Sequence, residues 1–459
     1  MTLGLELLVL LGAIAIGARV QGVGMGLWGG VGLAILIFAF GERPGSIPGD
    51  VLLIILTVIM AASAMEAAGG IDYLVRIAAG IIRKSPRHMT IIAPLVAYLF
   101  TFLSGTGHVF YPLLPVIHEV AMKGRIRPER PMAVATIASQ QAVTASPVSA
   151  ATAALLALLG PQGIGLPEIL MICVPSTLLG VIVAALVQTR IGVELDDDPE
   201  YKRRVAAGEI VETKEVAAKP SETGFKEGEA PINPGDAKVQ PPLPAGAGLS
   251  ALLFLVGVGA VVCCGLFPII RRVGPEGAMV TVSMPMTIAI VMFTVAAAML
   301  YFTGAPVDRI VKTKTCQAGL TAVIGILGLA WLGDTFIDAH EDVIIGSLSR
   351  MAEAYPFLFS VGLFVTSMLL YSQAATTQTL MPLGIQLGIA PAALAGMFPA
   401  VNGYFFIPTY GTLIAAVNFD RSGTTRIGKY VLNHSFMLPG LISTVVAVTT
   451  GLIISKLFF

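Results

Sequence analysis

FLSGTGHVFYPLLP, residues 102–115, lies inside an apolar run yet carries a serine, a Gly-Thr-Gly step, a histidine and two prolines. An ordinary spanning helix has no place for so many breaking and polar residues at its centre, where no water can satisfy a freed backbone group. The surrounding run, residues 89–121, is too long for one span of about 20 residues and too short for two spans plus a turn. A re-entrant hairpin, two short limbs meeting near the membrane middle, accounts for both length and polarity. A second segment of this kind lies at 357–388, with YSQAATTQT (371–379) at its centre.

Composition supports a membrane as the solvent. The 459-residue chain is 55% hydrophobic and only 12% charged, against about one quarter charged in soluble domains. Its 50 glycines and 29 prolines fit helices whose freed backbone groups are satisfied by neighbouring helices. A formal net charge of zero suggests no nucleic-acid partner. Cys173, Cys263, Cys264 and Cys316 fall in apolar runs without metal-ligand spacing and read as core residues, so no metal or cofactor is expected. The first run, LGLELLVLLGAIAIGA, has no basic residue before Arg19. It reads as a first span with an outside N-terminus rather than a cleaved leader.

Apolar segments of spanning length recur at about 3–18, 24–41, 50–69, 132–159, 166–189, 247–270, 279–302, 315–333, 392–419 and 431–455. Arg83, Lys84 and Arg87 precede the first hairpin, and Lys123, Arg125, Arg127 and Arg130 follow it, so the positive-inside rule puts both its ends in the cytoplasm. Arg19, the Arg309/Lys312/Lys314 cluster and Arg421/Arg426/Lys429 fall inside on the same topology, while Arg271/Arg272 mildly violates it. The second hairpin then has both ends outside, and both chain termini are periplasmic.

Hairpins of opposite sidedness predict an internal repeat. AMEAAGGIDYLVRIAAGIIRKSP (64–86) parallels WLGDTFIDAHEDVIIGSLSRMAEAYP (331–356), and Asp72/Asp338, Pro86/Pro356, Ser104/Ser372 and Pro112/Pro382 keep a nearly constant offset. The expected fold is therefore an all-α polytopic membrane protein of two inverted repeats, each five spans plus a re-entrant hairpin, with broken helices at the midplane. Residues 1–190 form the N-terminal repeat, with its hairpin at 89–121 and its broken helix at 132–159. Residues 246–459 form the C-terminal repeat, with its hairpin at 357–388 and its broken helix at 392–419. Residues 191–245 form a polar cytoplasmic linker: DDPEYKRRVAAGEIVE suits a short surface helix and the Pro-, Lys- and Glu-rich remainder reads as disordered. Inverted repeats with broken helices are a recurrent plan of secondary transporters, with the substrate at the repeat interface.

Each hairpin precedes a long apolar segment interrupted by SQQAVTASP (139–147) or PAVNGYFFIPTYGT (399–412). In the first break, Ser146 suits an N-cap with Pro147 as the first helical residue. The return limbs after Thr106 and after Thr377 add two further helix starts. Such N-termini present unpaired N–H groups and about half a positive charge, which suits an anionic ligand. No Lys or Arg lies mid-span, so backbone amides and neutral side chains must hold it: Ser104, Gly105, Thr106, Gly107 and His108 from the first hairpin, Gln140, Gln141, Thr144 and Ser146 from the first break, Ser372, Gln373, Thr376 and Thr377 from the second hairpin, and Asn402 and Thr409 from the second break. Opposed positive ends suit a molecule with two carboxylates. Glu66 and Asp334, acids near the ends of related spans, are candidate cation or proton sites or structural caps. Gln140, Gln141 and Gln373 could equally cross-link helices. His118 and Glu119 are expected at the interface. No HExxH pair, GxSxG elbow or midplane aspartate pair suggests an enzyme.

VQGVGMGLWGGVGLAIL, IMAASAMEAAGGIDYLV, TFLSGTGHVFYPLLPVI, ASQQAVTASPVSAA, VPSTLLG, DDPEYKRRVAAGE, LGLAWLGDTFI, LLYSQAATTQTLMPLG and FIPTYGTLIAAVNFDRSGTTRIGKYVLNHSFMLPG strongly resemble the anaerobic C4-dicarboxylate transporter (Dcu) family along essentially the whole chain. The resemblance implies a carrier of the bacterial inner membrane, multi-pass in the lipid bilayer, that exchanges fumarate, malate or aspartate for succinate in anaerobic respiration. It implies no cofactor. Relatives include partners of a membrane sensor kinase, and a homo-oligomer is compatible with it. His108 in GTGHVFY resembles the fumarate/succinate antiporter branch, the aspartate-uptake branch usually having Asn there. A sodium- or proton-coupled symporter of the same substrates is the alternative.

Overall fold

The helix that enters the 102–115 stretch ends at its glycine. Met89–Ser104 stops at Gly105, which takes φ 71° and donates its N–H to the Thr101 carbonyl. An L side chain there would meet the Val148 carbonyl oxygen at 2.7 Å. The chain then runs through a 3₁₀ helix, Gly107–Leu113, and turns α-helical again only at Leu114–Lys123, with Pro115 in its first turn. At 16 residues the first limb is about 24 Å long, short of a hydrocarbon core of about 30 Å.

The structure is a computed structural model describing residues 2–20, 23–45, 47, 49–84, 86–210, 242–267, 272–273, 280–340, 357–370, 372–408, 410–428 and 432–459. Its first half contains α1 (Thr2–Val20), α2 (Val23–Phe38), α3 (Gly49–Ala67), α4 (Gly70–Arg83), α5 (Met89–Ser104), α6 (Leu114–Lys123), α7 (Glu129–Gln141), α8 (Ala150–Leu159), α9 (Leu166–Gln188) and α10 (Pro199–Ala206). Its second half contains α11 (Ala247–Leu266), α12 (Met284–Thr303), α13 (Val307–Ile310), α14 (Lys314–Ala339), α15 (Phe357–Leu370), α16 (Gln373–Gln386), α17 (Pro391–Met397), α18 (Gly411–Phe419) and α19 (Met437–Phe458). Thr409, most of the linker after residue 210 and the 341–356 part of the repeat comparison lie outside the described residues.

Five described helices are long and apolar enough to cross a membrane: Leu166–Gln188, Ala247–Leu266, Met284–Thr303, Lys314–Phe336 and Met437–Phe458. The protein is a nearly all-helical, multi-pass membrane protein. Among the described residues Arg272–Val273 pairs antiparallel with Val280–Thr281, so the span expected from 279 starts at Met284, capped by Ser283. The expected 431–455 span starts at Met437, because His434 bridges back to Ile427 and delays the helix. After α3 the chain bends by 72° into α4, an amphipathic helix burying Ile71, Leu74, Val75, Ala78 and Ile82 at helical spacing.

α2 packs along α14 and α3 along α12; α1 lies on α2, α11 on α12, and α9 against α19. Where α2 crosses α14, Gly26 and Gly328 bring backbone against backbone, and a Cβ on either would overlap the other helix's main chain. Small residues permit this approach where no water drives helices together.

The front of the linker contains the short helix α10 and packs against the helical body. Arg130 donates to the Ile191 and Gly192 carbonyls and to Glu194, while Arg127 lies 3.2 Å from Asp198 and 2.9 Å from Glu129. Asp198 caps α10 by accepting from the Glu200 and Tyr201 amides, and Leu195 and Tyr201 are buried. Composition alone reads this segment as solvated because its partners are arginines 60 to 75 residues earlier.

Candidate functional site

Both breaks, the Ser104–Gly107 turn and the turn at Ser372 border one cavity of about 470 Å³, walled on the other side by α3 and α14. Ser104, Gly105, Thr106, Gly107, Gln140, Ser372 and Gln373 line it. Besides α14, whose Lys314 and Thr315 amides are taken by Glu66, three helices start on its wall. α16 is capped by Ser372, which accepts from the Ala375 amide at 3.2 Å. α8 is capped by Ser149, which accepts from the Thr152 amide at 3.1 Å. α18 follows Tyr410, which offers no side-chain cap. No charged side chain lines the cavity among the described residues. Helix starts and neutral dipoles are therefore its electrostatic means, and they favour an anion.

Three helix starts differ from expectation. Ser146 is not the N-cap of the first break: its hydroxyl donates to the Phe102 carbonyl at 2.7 Å, stapling the break to the hairpin, and the helix begins three residues later behind Ser149. Pro147 is tolerated in the turn between them. The second return limb starts at Gln373, one turn before Thr377, and the Thr376 and Thr377 hydroxyls donate to the Ser372 and Gln373 carbonyls of their own helix. The first return limb opens as the 3₁₀ helix containing His108, not as an α-helix at Thr106. The side chain of His108 lies outside the described residues.

Behind the cavity wall the amides form one chain. Gln373 Nε2 donates to Gln140 Oε1 and to Asn402 Oδ1, both at 3.1 Å. Asn402 Nδ2 in turn reaches Gln141 Oε1 and Thr144 Oγ1 at 3.2 Å, and Gln141 Nε2 donates to Thr444 Oγ1 at 3.1 Å. The chain joins the second hairpin to both breaks and to α19. Gln140 and Gln373 thus serve both as cross-links and as cavity lining, whereas Gln141, Thr144, Ser146, Thr376, Thr377 and Asn402 are buried off it.

Neither candidate cation acid lines the cavity. The two Glu66 oxygens accept from the Lys314 and Thr315 amides at 3.2 and 3.0 Å, so α3 caps the start of α14. Asp334 sits on α14 beside Gly45, whose amide donates to Thr335 and whose carbonyl accepts from Trp331 Nε1. No cluster of three His, Cys, Asp or Glu residues suits a metal ion among the described residues.

Sequence reasoning missed several polar residues. Thr444 sits in an apolar helix with no local signal. Ser149 could have been found from its position three residues before Thr152 at a helix start. His118, assigned to the interface, is buried against Asp420, and Glu6, inside the first apolar run, lies 2.7 Å from His340. The turn-forming DRSG at 420–423 is the signal for Asp420.

The profile of the family described as anaerobic C4-dicarboxylate membrane transporter matches residues 2–459. The chain is 40% identical to the C4-dicarboxylate transporter DcuA of Wolinella succinogenes over 98% of its own length and 99% of that protein's. It is 39% identical to the C4-dicarboxylate transporter DcuA of Escherichia coli K12, over 98% of each chain. Against the anaerobic C4-dicarboxylate transporter DcuB of Escherichia coli O6:H1 the identity is 35%, over 99% of this chain and 98% of the other. With a matching profile over nearly every residue and relatives aligned end to end, the chain belongs to the anaerobic C4-dicarboxylate membrane transporter family.

Proposed function

We propose that this protein is a secondary transporter of the bacterial inner membrane that exchanges C4-dicarboxylates, taking in fumarate, malate or aspartate against succinate by alternating access. The observation that carries this reading is the convergence of three helix starts on one cavity without a charged side chain. A diacid held there is neutralised only by partial charges, which grip it without the strong ion pair that would slow its release. Relatives named for C4-dicarboxylate transport support the substrate class.

An inverted-repeat architecture, with hairpins entering from opposite faces, is part of the proposal. Its support is the matched packing of α2 on α14 and α3 on α12, with α1 on α2 and α11 on α12. The limbs of the second hairpin, 14 residues each, are about 21 Å long and suit re-entry better than crossing. Both oxygens of Glu66 are committed to backbone amides, which favours exchange over coupling through that acid.

Purified protein in succinate-loaded liposomes should take up labelled fumarate, with little uptake when the lumen holds no dicarboxylate. Equal uptake into empty vesicles under a sodium or proton gradient would replace exchange with symport. No uptake in either format would refute the transport reading.

A further inference from the structure

Five glycines line the cavity among the described residues: Gly105, Gly107, Gly319, Gly325 and Gly411. Four of them are accounted for by the protein's own packing. A Cβ on Gly105 would lie 2.7 Å from the Val148 carbonyl oxygen, one on Gly107 2.6 Å from Gln140 Nε2, one on Gly319 2.2 Å from Ile59 Cδ1, and one on Gly411 2.7 Å from the Tyr111 hydroxyl. At Gly325 no atom of a described residue comes within 4 Å of the Cβ position.

Backbone conformation does not account for this glycine either. Gly325 lies inside α14 and is not among the glycines of positive φ. In a helix interior glycine is weaker than alanine, because it loses more conformational freedom on folding. Alanine would therefore fit the described surroundings and strengthen the helix, and what it would take away is cavity space.

That space adjoins the second hairpin. Gly325 stands one turn, about 6 Å, before Leu329 on the same face of α14. Leu329 packs with Leu370 and Ala375, and between these two in the chain come Ser372 and Gln373, which line the cavity.

We infer that Gly325 is a specificity-determining residue: the room left by its missing side chain takes the substituent of a C4 diacid that carries a hydroxyl or amino group on its second carbon. The inference rests on the dicarboxylate-carrier reading above. Malate exceeds succinate by one hydroxyl at that carbon, a group close to a methyl in size. A methyl at position 325 thus competes with the substituent and leaves room for the bare chain.

The test measures counterflow of labelled succinate and of labelled malate into succinate-loaded liposomes carrying the full chain. Gly325→Ala should raise KM for malate about tenfold, the usual effect of one surplus group in a closed pocket, and leave KM for succinate within about twofold. Gly325→Leu, which fills more of the space, should raise both. Without substrate, solubilised Gly325→Ala should melt above wild type. Gly30→Ala, a like change on α2 away from the cavity with no described atom within 4 Å of its Cβ position, should also melt higher but keep the wild-type malate-to-succinate ratio of KM. An unchanged ratio in Gly325→Ala, the same change of ratio in Gly30→Ala, a lower melting temperature for Gly325→Ala, or a wild type that exchanges succinate but rejects malate overturns the inference while the carrier reading stands. Absence of any wild-type counterflow overturns the carrier reading and this inference with it.

Discussion

His118 of α6 lies 3.4 Å from the carboxylate of Asp420, joining the exit of the first hairpin to the turn that follows the second broken helix. The pair is within ion-pair distance but off the line of a hydrogen bond, for His118 Nδ1 has no hydrogen-bond partner. Asp420 is otherwise saturated: it accepts from the Ser422 amide and hydroxyl, the Thr424 hydroxyl and the Thr425 amide. Burial pushes its pKa up, but His118 and the Ser422 and Thr425 donors outweigh this and hold it below the usual carboxylate value of 3.8. Because the folded value is depressed, the stabilisation is present above the unfolded carboxylate pKa and is lost only as pH falls through the lower folded one. Asp420→Ala strands four donors and His118, and should cost about 3 kcal/mol at neutral pH in denaturant unfolding of the solubilised protein. A loss well under 1 kcal/mol would show that the turn holds without its carboxylate.

His434 gives a pH dependence in a more accessible range. Burial lowers its pKa from 6.5, partly opposed by a contact with the Phe406 carbonyl, and its Nδ1 accepts from the Phe436 amide at 3.2 Å. A proton on Nδ1 would break that bond. The folded state therefore resists protonation, so stability is full above about pH 6.5, falls as pH drops through that value and levels off below the folded pKa. Melting curves at pH 7.5 and 5.5 should show a larger acid loss for wild type than for His434→Gln; equal losses would exclude His434 as a source of the acid sensitivity.

Ser149 and Ser146 separate a cap from a staple. Ser149→Ala and Ser149→Gly both lose the bond to the Val143 carbonyl, but the lost cap on the Thr152 amide adds about 1 kcal/mol for Ala and only a few tenths for Gly, so the glycine variant should be the more stable. Ser146→Gly has no cap to preserve and should cost as much as Ser146→Ala, because both lose the bond to Phe102. Thermal melts of the four variants give the comparison, and a cheap Ser146→Gly would return the cap to Ser146.

Among threonines near the site, hydroxyl direction decides the outcome. Thr376 and Thr377 donate within their own helix, so Thr376→Val and Thr377→Val should leave fumarate KM within about twofold. Ser104→Ala and Gln373→Ala, which alter the cavity wall, should raise it about tenfold. The reverse pattern would move the site off this cavity.

Gly105→Ala should destabilise by about 1–2 kcal/mol for its left-handed backbone alone, and more for the overlap with the Val148 carbonyl. Gly105→Asn, which tolerates that backbone better, should not rescue it, since the overlap remains. Rescue by Asn would make conformation rather than contact the reason for glycine.

The interrupted segments were readable because polarity in an apolar run is locally visible: Gly105, Ser372 and the two breaks fall where length and composition put them. Which polar group faces the cavity was not readable. Thr376 and Ser372 differ by one helical turn and no property of composition, yet one caps the helix facing the cavity and the other bonds inside it. Ser146 misled because Pro147 imitates a helix start, while the true start depends on Ser149 also reaching the Val143 carbonyl. Partners distant in sequence, such as Thr444 for Gln141 or Asp420 for His118, leave no periodic mark. The helix at the front of the linker was legible, but its arginine partners were not, since Arg130 and Glu194 are both polar wherever they sit.

The contact between Gly26 and Gly328 limits what this molecule can do when it changes shape. Side chains between helices act as cushions: they switch rotamers and let neighbours slide. At this crossing there is nothing to switch, which ties α2 closely to α14. Since α14 also forms the long wall of the cavity, that wall is backed at backbone contact by a second helix and is stiffened along its length.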